Sequence, residues 1–247
     1  MMALALASIL SFPTAANAGM YSDDIQKLYV AYFGRPADPS GLQYWESVVE
    51  VSGQTALASI ANTLTQSAEY QSQVAGLNSE GIINQIYQNL FGHAPDPDGL
   101  MYWSQKLSSR ALTTAQIAQA ITDAAAGADK DTFANKVAAA TAFTQSLDTT
   151  YRILGYSGQW AGAAARDWLS TIGNADSLEK STATAALNQT IEKVIAAKEP
   201  PKTNTTDVTT DAAKNNATDA ANQAVNNATN QVIGTAVDAA VKASQAN

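Results

Sequence analysis

The sequence predicts an all-α protein in which duplicated helix–turn–helix units form an orthogonal helical bundle, followed by an Ala-rich C-terminal tail. Two observations predict this fold class. Apolar residues recur at helical intervals along much of the chain, and no segment shows the sustained alternation of β-branched residues that is typical of strands. The string FGRPADPSGLQYW also returns as FGHAPDPDGLMYW, with 58 residues between Gly34 and Gly92 and between Trp45 and Trp103. Such a fixed spacing indicates an internal duplication.

The segment before each string predicts an amphipathic helix. Its apolar residues follow the pattern i, i+3, i+4, i+7, i+8, which places them on one helix face. In the first copy they are Ile25, Leu28, Tyr29, Tyr32 and Phe33, and in the second they are Ile83, Ile86, Tyr87, Leu90 and Phe91. Both helices are therefore expected to contribute to one hydrophobic core.

The repeated string itself predicts a tight corner between two helices. A glycine just beyond the last apolar residue is a favoured helix C-cap, and the Asp-Pro pair that follows supplies an N-cap and a proline at the first position of the next helix. A tryptophan then anchors the second helix in the core. The predicted structural turn motif comprises Gly34, Asp38, Pro39, Gly41 and Trp45 in the first copy, and Gly92, Asp96, Pro97, Gly99 and Trp103 in the second.

Calcium binding is the alternative interpretation of this corner. The sequence PDPDG resembles the start of a calcium loop, in which alternating carboxylates such as Asp96 and Asp98 converge on the ion. No further carboxylate follows in GLMYWSQKL, however, and the first copy has Ser40 in place of Asp98. The capping interpretation is therefore preferred, and no cofactor other than this alternative calcium is predicted.

The remainder of the chain continues the helical pattern. The two motif copies are expected near residues 21–76 and 79–130, each with a third helix carrying Ile60 and Leu64 or Ile117 and Ile121. A long helix is predicted from 132 to 154, a degenerate third corner anchored by Trp168 from 160 to 171, and a last helix from 177 to 198, so that residues 131–198 complete the domain. Residues 199–212 read as a linker, and residues 213–247 as an Ala-rich tail that is either helical or disordered.

Composition limits the function classes. The chain of 247 residues has 22 acidic and 14 basic residues, a net charge of −8 and no basic cluster, which argues against nucleic acid and anionic membranes as partners. It has no cysteine, and its single histidine, His93, takes the place that Arg35 has in the first copy. Thiolate chemistry and sites that need two histidines are excluded, and no catalytic residues are predicted.

The N-terminus predicts export. An apolar run from Met2 to Phe12 precedes Ala16-Asn17-Ala18, which offers small residues at the positions that a signal peptidase reads. Residues 1–18 are therefore predicted to be a signal peptide, although no Lys or Arg precedes the apolar run. No other long apolar run follows, so the protein is not expected to be an integral membrane protein. A secreted, extracellular or cell-surface bacterial location is predicted, with the periplasm as the alternative.

The paired motif resembles a known bacterial helical family. LYVAYFGRPADPSGLQYW and IYQNLFGHAPDPDGLMYW, with the later segments Ser67–Tyr70 and Phe133–Val137, are similar to the domain of unknown function forty-two-fourteen (DUF4214) over about residues 21–154. That resemblance implies a helical module of secreted, calcium-repeat and surface-layer proteins, one of which serves as a lipopolysaccharide anchor. This chain lacks the Gly-Asp-rich calcium repeats.

The predicted function is non-enzymatic attachment or self-assembly at the cell surface or in an extracellular matrix. The expected partners are a surface glycan or lipopolysaccharide, together with further copies of the chain bound through the C-terminal tail. A secreted polysaccharide-acting enzyme or its accessory domain, and a subunit that polymerises into a layer or filament, are the alternatives. Clustered aromatics offer either a sugar-stacking platform or core packing; they are Tyr29, Tyr32, Tyr44, Trp45, Tyr87, Tyr102 and Trp103.

Overall fold

The computed structural model describes residues 19–197, and over this range the chain forms twelve α-helices and no β-strand. The all-α prediction is confirmed for this part of the chain. The helices are α1 (Ser22–Phe33), α2 (Pro39–Ser52), α3 (Ala56–Gln66), α4 (Ala68–Gln73), α5 (Ser79–Phe91), α6 (Pro97–Ser108), α7 (Thr114–Ala124), α8 (Gly127–Gln145), α9 (Thr150–Gly155), α10 (Gly158–Ser170), α11 (Ala175–Thr182) and α12 (Thr184–Ile195). The predicted signal peptide, linker and Ala-rich tail lie outside the described residues.

The duplication is visible in the order of the helices. Helices α1, α2 and α3 have their counterparts in α5, α6 and α7. Within each set the first helix packs against the second, and the two third helices, α3 and α7, pack against each other. Polar side chains cap the start of two helices. Thr113 forms a capping box with Gln116 at the start of α7, and Ser67 accepts a hydrogen bond from the N–H of Tyr70 at the start of the short helix α4.

Helix α1 lies at the centre of the larger hydrophobic core. Nine of its twelve residues are buried, among them Ile25 and Val30 with no exposed surface, because α5, α8, α2 and α3 pack around it. Helix α5 contributes Ile83, Ile86 and Leu90, which are also buried. A helix that is covered on nearly all sides must be apolar around its circumference, as the sequence LYVAYF is.

A smaller core joins the end of α8 to α9, α10 and α12. It contains Phe143, Leu147, Tyr156, Ala165 and Ile191, and Trp168 packs against this cluster and the larger core. The rings of Phe143 and Trp168 lie with their centroids 5.3 Å apart. The C-terminal helices are thereby fixed against the duplicated part of the chain.

The predicted long helix from 132 to 154 is wrong in its bounds. Helix α8 begins five residues earlier, at Gly127, and ends at Gln145, and a separate helix α9 begins at Thr150. Thr149 starts α9, since its hydroxyl accepts a hydrogen bond from the N–H of Arg152. A Thr side chain that bonds the backbone locally favours a new helix start over helix continuation. Tyr151 and Leu154, which continue the apolar spacing of α8 in the sequence, are 66% and 69% exposed.

Two further boundaries differ from the sequence prediction. Residues 158–170 form one uninterrupted helix, α10, so there is no third corner there, although Trp168 does anchor that helix in the core. The predicted helix from 177 to 198 is two helices, because Ala183 has extended backbone angles (φ −52°, ψ 131°) between α11 and α12. The residues around that break, Ser181 to Thr184, include two threonines, which are weak helix formers.

Between residues 19 and 197, none of the helices has the length and apolar character needed to cross a bilayer.

Candidate functional site

The first repeated corner links α1 to α2 through a glycine, a proline and a capping aspartate. Gly34 ends α1 in the left-handed region (φ 64°) and donates its N–H to the carbonyl of Val30. Asp38 is extended and its carboxylate accepts the N–H of Gly41 at 2.7 Å, while Pro39 is the first residue of α2. Gly41 is required by space, because a Cβ atom there would collide with the hydroxyl of Tyr29.

The second corner has the same geometry between α5 and α6. Gly92 is left-handed (φ 79°) and donates to the carbonyls of Tyr87 and Gln88. Asp96 caps α6 by accepting the N–H of Gly99 at 2.8 Å, and Pro97 is its first residue. The two corners therefore use equivalent residues for equivalent backbone hydrogen bonds.

Both anchoring tryptophans are partly buried against the larger core. Trp45 packs edge to face on Tyr44 with ring centroids 4.7 Å apart, and Trp103 packs in the same way on Tyr102 at 4.8 Å. Neither ring is fully enclosed.

Asp96 and Asp98, the carboxylates considered for calcium, do not converge with other carboxylates on one position. Asp96 directs one oxygen at the backbone of α6, and Asp98 lies exposed in the first turn of the same helix. Across residues 19–197 there is no group of three or more His, Cys, Asp or Glu residues that could hold a metal ion. The fit for a calcium ion at this corner is therefore poor, since such sites take six to eight oxygen ligands.

Burial distinguishes the first corner from the second. Arg35, in the first corner, pairs with Glu69 of α4 through two hydrogen bonds of 2.6 Å and donates to the carbonyl of Pro36 at 3.0 Å. Tyr156, which leads into α10, donates its hydroxyl to the same carbonyl at 2.8 Å. Burial opposes the charge of Arg35, but the nearby Tyr156 and the Glu69 carboxylate outweigh it, so the pKa of this guanidinium lies well above its ordinary value.

Other backbone groups of the first corner are bound by side chains of α1, α8 and α10. Gln26 accepts the N–H of Ala37 at 3.0 Å, and Thr144 of α8 donates to the carbonyl of Ala37 at 2.7 Å. Arg166 of α10 donates to the carbonyl of Phe33 at 2.7 Å. Buried backbone polar groups must be paired, and these side chains supply the partners that water supplies at an exposed turn.

The second corner is open to solvent. His93 is exposed, and its two ring nitrogens lie 2.8 Å from the carbonyl oxygen of Ala94 and 2.8 Å from a carboxylate oxygen of Asp129 in α8. Both contacts raise the pKa of His93, the one to Ala94 most. A deeply buried cation lies beside this corner: Lys136, whose Nζ donates to the carbonyls of Gln88 and Asn89 at 3.0 and 2.9 Å.

The aromatic residues considered for sugar stacking are mainly core residues. Tyr29 and Tyr32 are 5% and 1% exposed, and Tyr44, Trp45, Tyr87 and Trp103 are partly buried. Tyr102 alone of this set is half exposed, at 51%. The sequence-predicted residues thus do not form one continuous aromatic platform.

A concave surface of about 790 Å³ lies between α1, α3, α7 and α8. Its apolar lining residues include Leu28, Ala31, Val137 and Ala138, and its polar lining residues carry carboxylates, amides, hydroxyls and amines. Those polar residues are Asp23, Asp24, Lys27, Gln54, Gln119, Thr122, Asp123, Lys130, Thr141 and Gln145. We refer to this surface as the α1–α8 groove.

Two side-chain pairs organise the polar groups of the α1–α8 groove. Lys27 donates to Asp24 at 2.9 Å, and the amide of Gln119 donates to Asp123 at 2.8 Å. The hydroxyl oxygen of Thr141 is buried and has no hydrogen-bond partner among the described residues. A buried hydroxyl without a partner is costly, which marks this position as one that a ligand or water would satisfy.

A smaller pocket of about 350 Å³ lies where the first corner meets the start of α10. Arg35, Asp38 and Ser40 line one side, and Ile153, Leu154 and Tyr156 are among the residues of the other. We refer to it as the corner pocket.

Sequence reasoning missed both concave surfaces. The α1–α8 groove combines residues from four helices, of which α1 and α8 are about 100 residues apart in the chain. The corner pocket needs α9 and α10 to lie over a motif more than 110 residues earlier. A signal was present at the first corner: Arg35 and Ala37 differ from His93 and Pro95 in the second copy. The two copies therefore differ in sequence at the corner that is buried in the first copy and exposed in the second.

Comparison with known proteins identifies one family. Residues 61–129 match the family model described as "Domain of unknown function (DUF4214)". The matched region contains the second corner and its flanking helices, from the end of α3 to the start of α8, and does not include the first corner. No curated protein and no solved structure matches the chain.

Proposed function

We propose that this chain is an exported, non-enzymatic helical module that attaches to a cell surface or extracellular matrix by binding surface polysaccharide. Residues 61–129 match the DUF4214 family, whose description names no activity, so the proposal is based on the geometry of the protein. The observation that carries the proposal is the α1–α8 groove. It is open along its length, and its volume of about 790 Å³ is within the range of ligand-binding clefts.

The chemistry of the groove suits a hydroxyl-rich chain. Carboxylates accept hydrogen bonds from sugar hydroxyls, and amides both accept and donate them; the groove offers both groups from α1, α7 and α8. The apolar lining residues can cover the less polar faces of sugar rings. The aromatic rings near the groove, those of Tyr32 and Phe133, are 1% and 7% exposed, so recognition relies on hydrogen bonds and shape instead of stacking.

Charge favours neutral sugars over phosphorylated ones. Asp23, Asp24 and Asp123 outnumber Lys27 and Lys130 along the groove, and the whole chain carries a net charge of −8. An anionic ligand such as the phosphorylated part of lipopolysaccharide would be repelled. The neutral sugar units of a surface polysaccharide, or those of the outer chain of lipopolysaccharide, are therefore the preferred ligand class.

Retention on immobilised polysaccharides tests the proposal. The full chain is applied to neutral and acidic surface polysaccharides and to extracted lipopolysaccharide, beside the groove variant Gln119→Ala/Asp123→Asn. We expect retention on a neutral polysaccharide and at least about a tenfold loss of affinity in the groove variant, which removes two side chains of the groove wall. The matched control is Asp176→Asn, at an 81% exposed aspartate on α11, which should bind as the unmodified chain does.

Two results contradict this assignment. If no polysaccharide retains the chain, the attachment role is wrong. If the groove variant and the Asp176→Asn control bind equally well, the ligand is held elsewhere on the protein and the α1–α8 groove is not the site.

Thr141 provides a second test at the same site. Thr141→Val keeps the side-chain volume and removes the unpartnered hydroxyl. If the hydroxyl contacts the polysaccharide, the variant binds more weakly while its free energy of unfolding stays the same or rises. Unchanged binding together with higher stability would show that this hydroxyl takes no part in ligand recognition.

A further inference from the structure

Two exposed apolar faces lie on different helices of the bundle. One consists of Met101 and Tyr102 on α6, which are 66% and 51% exposed, and we name it the α6 face. The other consists of Tyr151, Leu154 and Trp160, which are 66%, 69% and 37% exposed, and we name it the α9–α10 face. Contiguous exposed apolar residues, particularly aromatics and Met, are typical of interaction surfaces.

The two faces differ in shape. Leu154 of the α9–α10 face also lines the corner pocket of about 350 Å³, so this face is concave at one edge. On the α6 face, Met101 lines a separate shallow depression of about 480 Å³, whereas Tyr102 lines neither concave surface and is 51% exposed, so its ring is accessible to a partner. Helix α6 packs on α5 and α7, whereas α9 packs on α12, which places the faces in different parts of the fold.

The two faces also differ in charge. On the α6 face, the Nζ atom of Lys106 lies 5.3 Å from the ring centroid of Tyr102, which makes the exposed ring locally cationic. In the corner pocket, Asp38 provides a carboxylate and Ser40 a hydroxyl beside the apolar wall of Ile153 and Leu154. The guanidinium of Arg35 also lines this pocket, but its charge is balanced by Glu69, to which it donates two hydrogen bonds. An aromatic ring with a phenol group and an adjacent ammonium group matches this combination of apolar wall, hydroxyl and carboxylate.

From this complementarity we propose that a second copy of the chain docks its α6 face into the corner pocket and α9–α10 face of the first, giving a head-to-tail assembly. Because the two docking surfaces are different, a bound pair still has one unused surface of each kind. A contact of this type generates a ring or an open filament instead of a closed symmetric dimer. The inference does not depend on polysaccharide binding, since none of its residues lines the α1–α8 groove.

The duplication supports a contact between unlike surfaces. The position equivalent to Met101 in the first copy is Gln43, and the residue equivalent to the exposed Tyr102 is the partly buried Tyr44. The α6 face therefore exists only in the second copy. The corner pocket exists only at the first corner, because Tyr156 and the start of α10 cover that corner alone.

The mass of the full chain as a function of concentration tests the proposal, measured by light scattering for the unmodified chain, Tyr102→Ser and Leu154→Ser. We expect the unmodified chain to grow beyond a dimer as its concentration rises. Each variant should need at least about a tenfold higher concentration to associate, because each loses an anchor of the contact. Val51→Ser removes a 79% exposed apolar residue on α2 and is the matched control.

Mixing the two variants distinguishes this contact from others. A Tyr102→Ser copy keeps an intact pocket and a Leu154→Ser copy keeps an intact α6 face, so a one-to-one mixture should form dimers and stop there. A cysteine-free chain also permits single labels: Gln105→Cys on α6 and Ser157→Cys at the pocket should cross-link with a bis-maleimide between the two variants and not within either one.

Three results would overturn the inference: a chain that stays monomeric at every concentration, a mixture that associates no better than its components, or a Val51→Ser variant as impaired as the other two. Polysaccharide retention is measured on the same samples. If Tyr102→Ser still binds polysaccharide but does not assemble, the assembly contact is lost and the attachment function is intact. If the unmodified chain assembles but binds no polysaccharide, the attachment function is wrong and the assembly stands.

Discussion

Lys136 is expected to make the protein more stable as the pH rises from 7 to 9. Its side chain is 2% exposed, and its ammonium group donates to two backbone carbonyls at the end of α5 without a carboxylate partner. Burial lowers its pKa from 10.5 to about 8. The unfolded chain, in which the lysine is solvated, keeps the higher value.

The sign and size follow from proton linkage. Between pH 8 and 10.5 the unfolded chain binds a proton that the folded chain has released, and stability rises with pH wherever the unfolded state binds more protons. The contribution of Lys136 is thus unfavourable at neutral pH, by at most about 3 kcal/mol, and this penalty disappears as the pH approaches 10.5. Between pH 7 and 9 the expected gain in the free energy of unfolding is about 1 kcal/mol.

The buried tyrosines act in the opposite direction at higher pH. Burial raises the pKa values of Tyr29, Tyr32, Tyr70 and Tyr156, with Tyr70 and Tyr156 at about 12. Each therefore contributes stability that is present below pH 10 and is lost as the pH rises above it. The window from pH 7 to 9 lies below these tyrosines. The raised pKa of His93 opposes the lysine at the lower end of this window, because the stability that it contributes is lost as the pH rises, so the effect of Lys136 is read from the difference between the unmodified chain and Lys136→Met.

Urea denaturation at pH 7, 8 and 9 measures the effect. The comparison is between the unmodified chain, Lys136→Met and Lys130→Met; Lys130 is exposed on the same helix and is the matched control. The rise with pH should vanish in Lys136→Met and persist in Lys130→Met. An undiminished rise in Lys136→Met would refute the reasoning, since some other group would then bind the proton.

Three further predictions concern the corners and are all measured as changes in the free energy of unfolding. Gly34→Ala should lower the free energy of unfolding by at least about 1 kcal/mol more than Gly92→Ala does. Both glycines are left-handed, but only at Gly34 would a Cβ atom approach a neighbouring amide oxygen, at 2.6 Å. Equal costs would show that the buried corner relaxes freely. Asp38→Ala should cost about 0.5–2 kcal/mol through its lost cap, and Asp98→Ala, which removes no cap, should cost less; the reverse order would contradict the capping role. Arg35→Lys should cost about 1.5–3 kcal/mol, because an ammonium group cannot reproduce the two parallel bonds to the carboxylate of α4, and a cost below 0.5 kcal/mol would mean that this ion pair is solvated.

Local signals explain which parts of the fold could be predicted from sequence. The corners at Gly34 and Gly92 depend on a left-handed glycine, a capping aspartate and a proline, all within a few residues of one another, and their backbone geometry follows from those residues alone. The helix faces of α1 and α5 follow from apolar spacing. Helix ends without a strong breaker are harder: at Ser146 the chain leaves α8 with neither glycine nor proline, and only the capping of α9 by Thr149 reveals the break.

The concave surfaces could not be predicted, because they depend on which helices pack together. Thr144 interrupts the apolar spacing of its segment in the sequence, and in the fold its hydroxyl donates to the carbonyl of Ala37, 107 residues earlier. Arg166 likewise finds the carbonyl of Phe33. Neither pairing leaves a pattern in the local sequence, since each depends on α8 and α10 lying over the first corner.

Unequal burial of two equivalent corners is the feature that connects the fold to its proposed functions. Two identical exposed corners would present the same surface twice, and neither could serve as the partner of the other. Because α8 and α10 cover the first corner, Arg35 binds Glu69 instead of water, and a pocket forms at the edge of this corner. The second corner keeps an exposed histidine, and its following helix keeps an exposed aromatic face. A duplicated unit has in this way acquired two unlike surfaces, and a contact between unlike surfaces is what a repeating assembly requires.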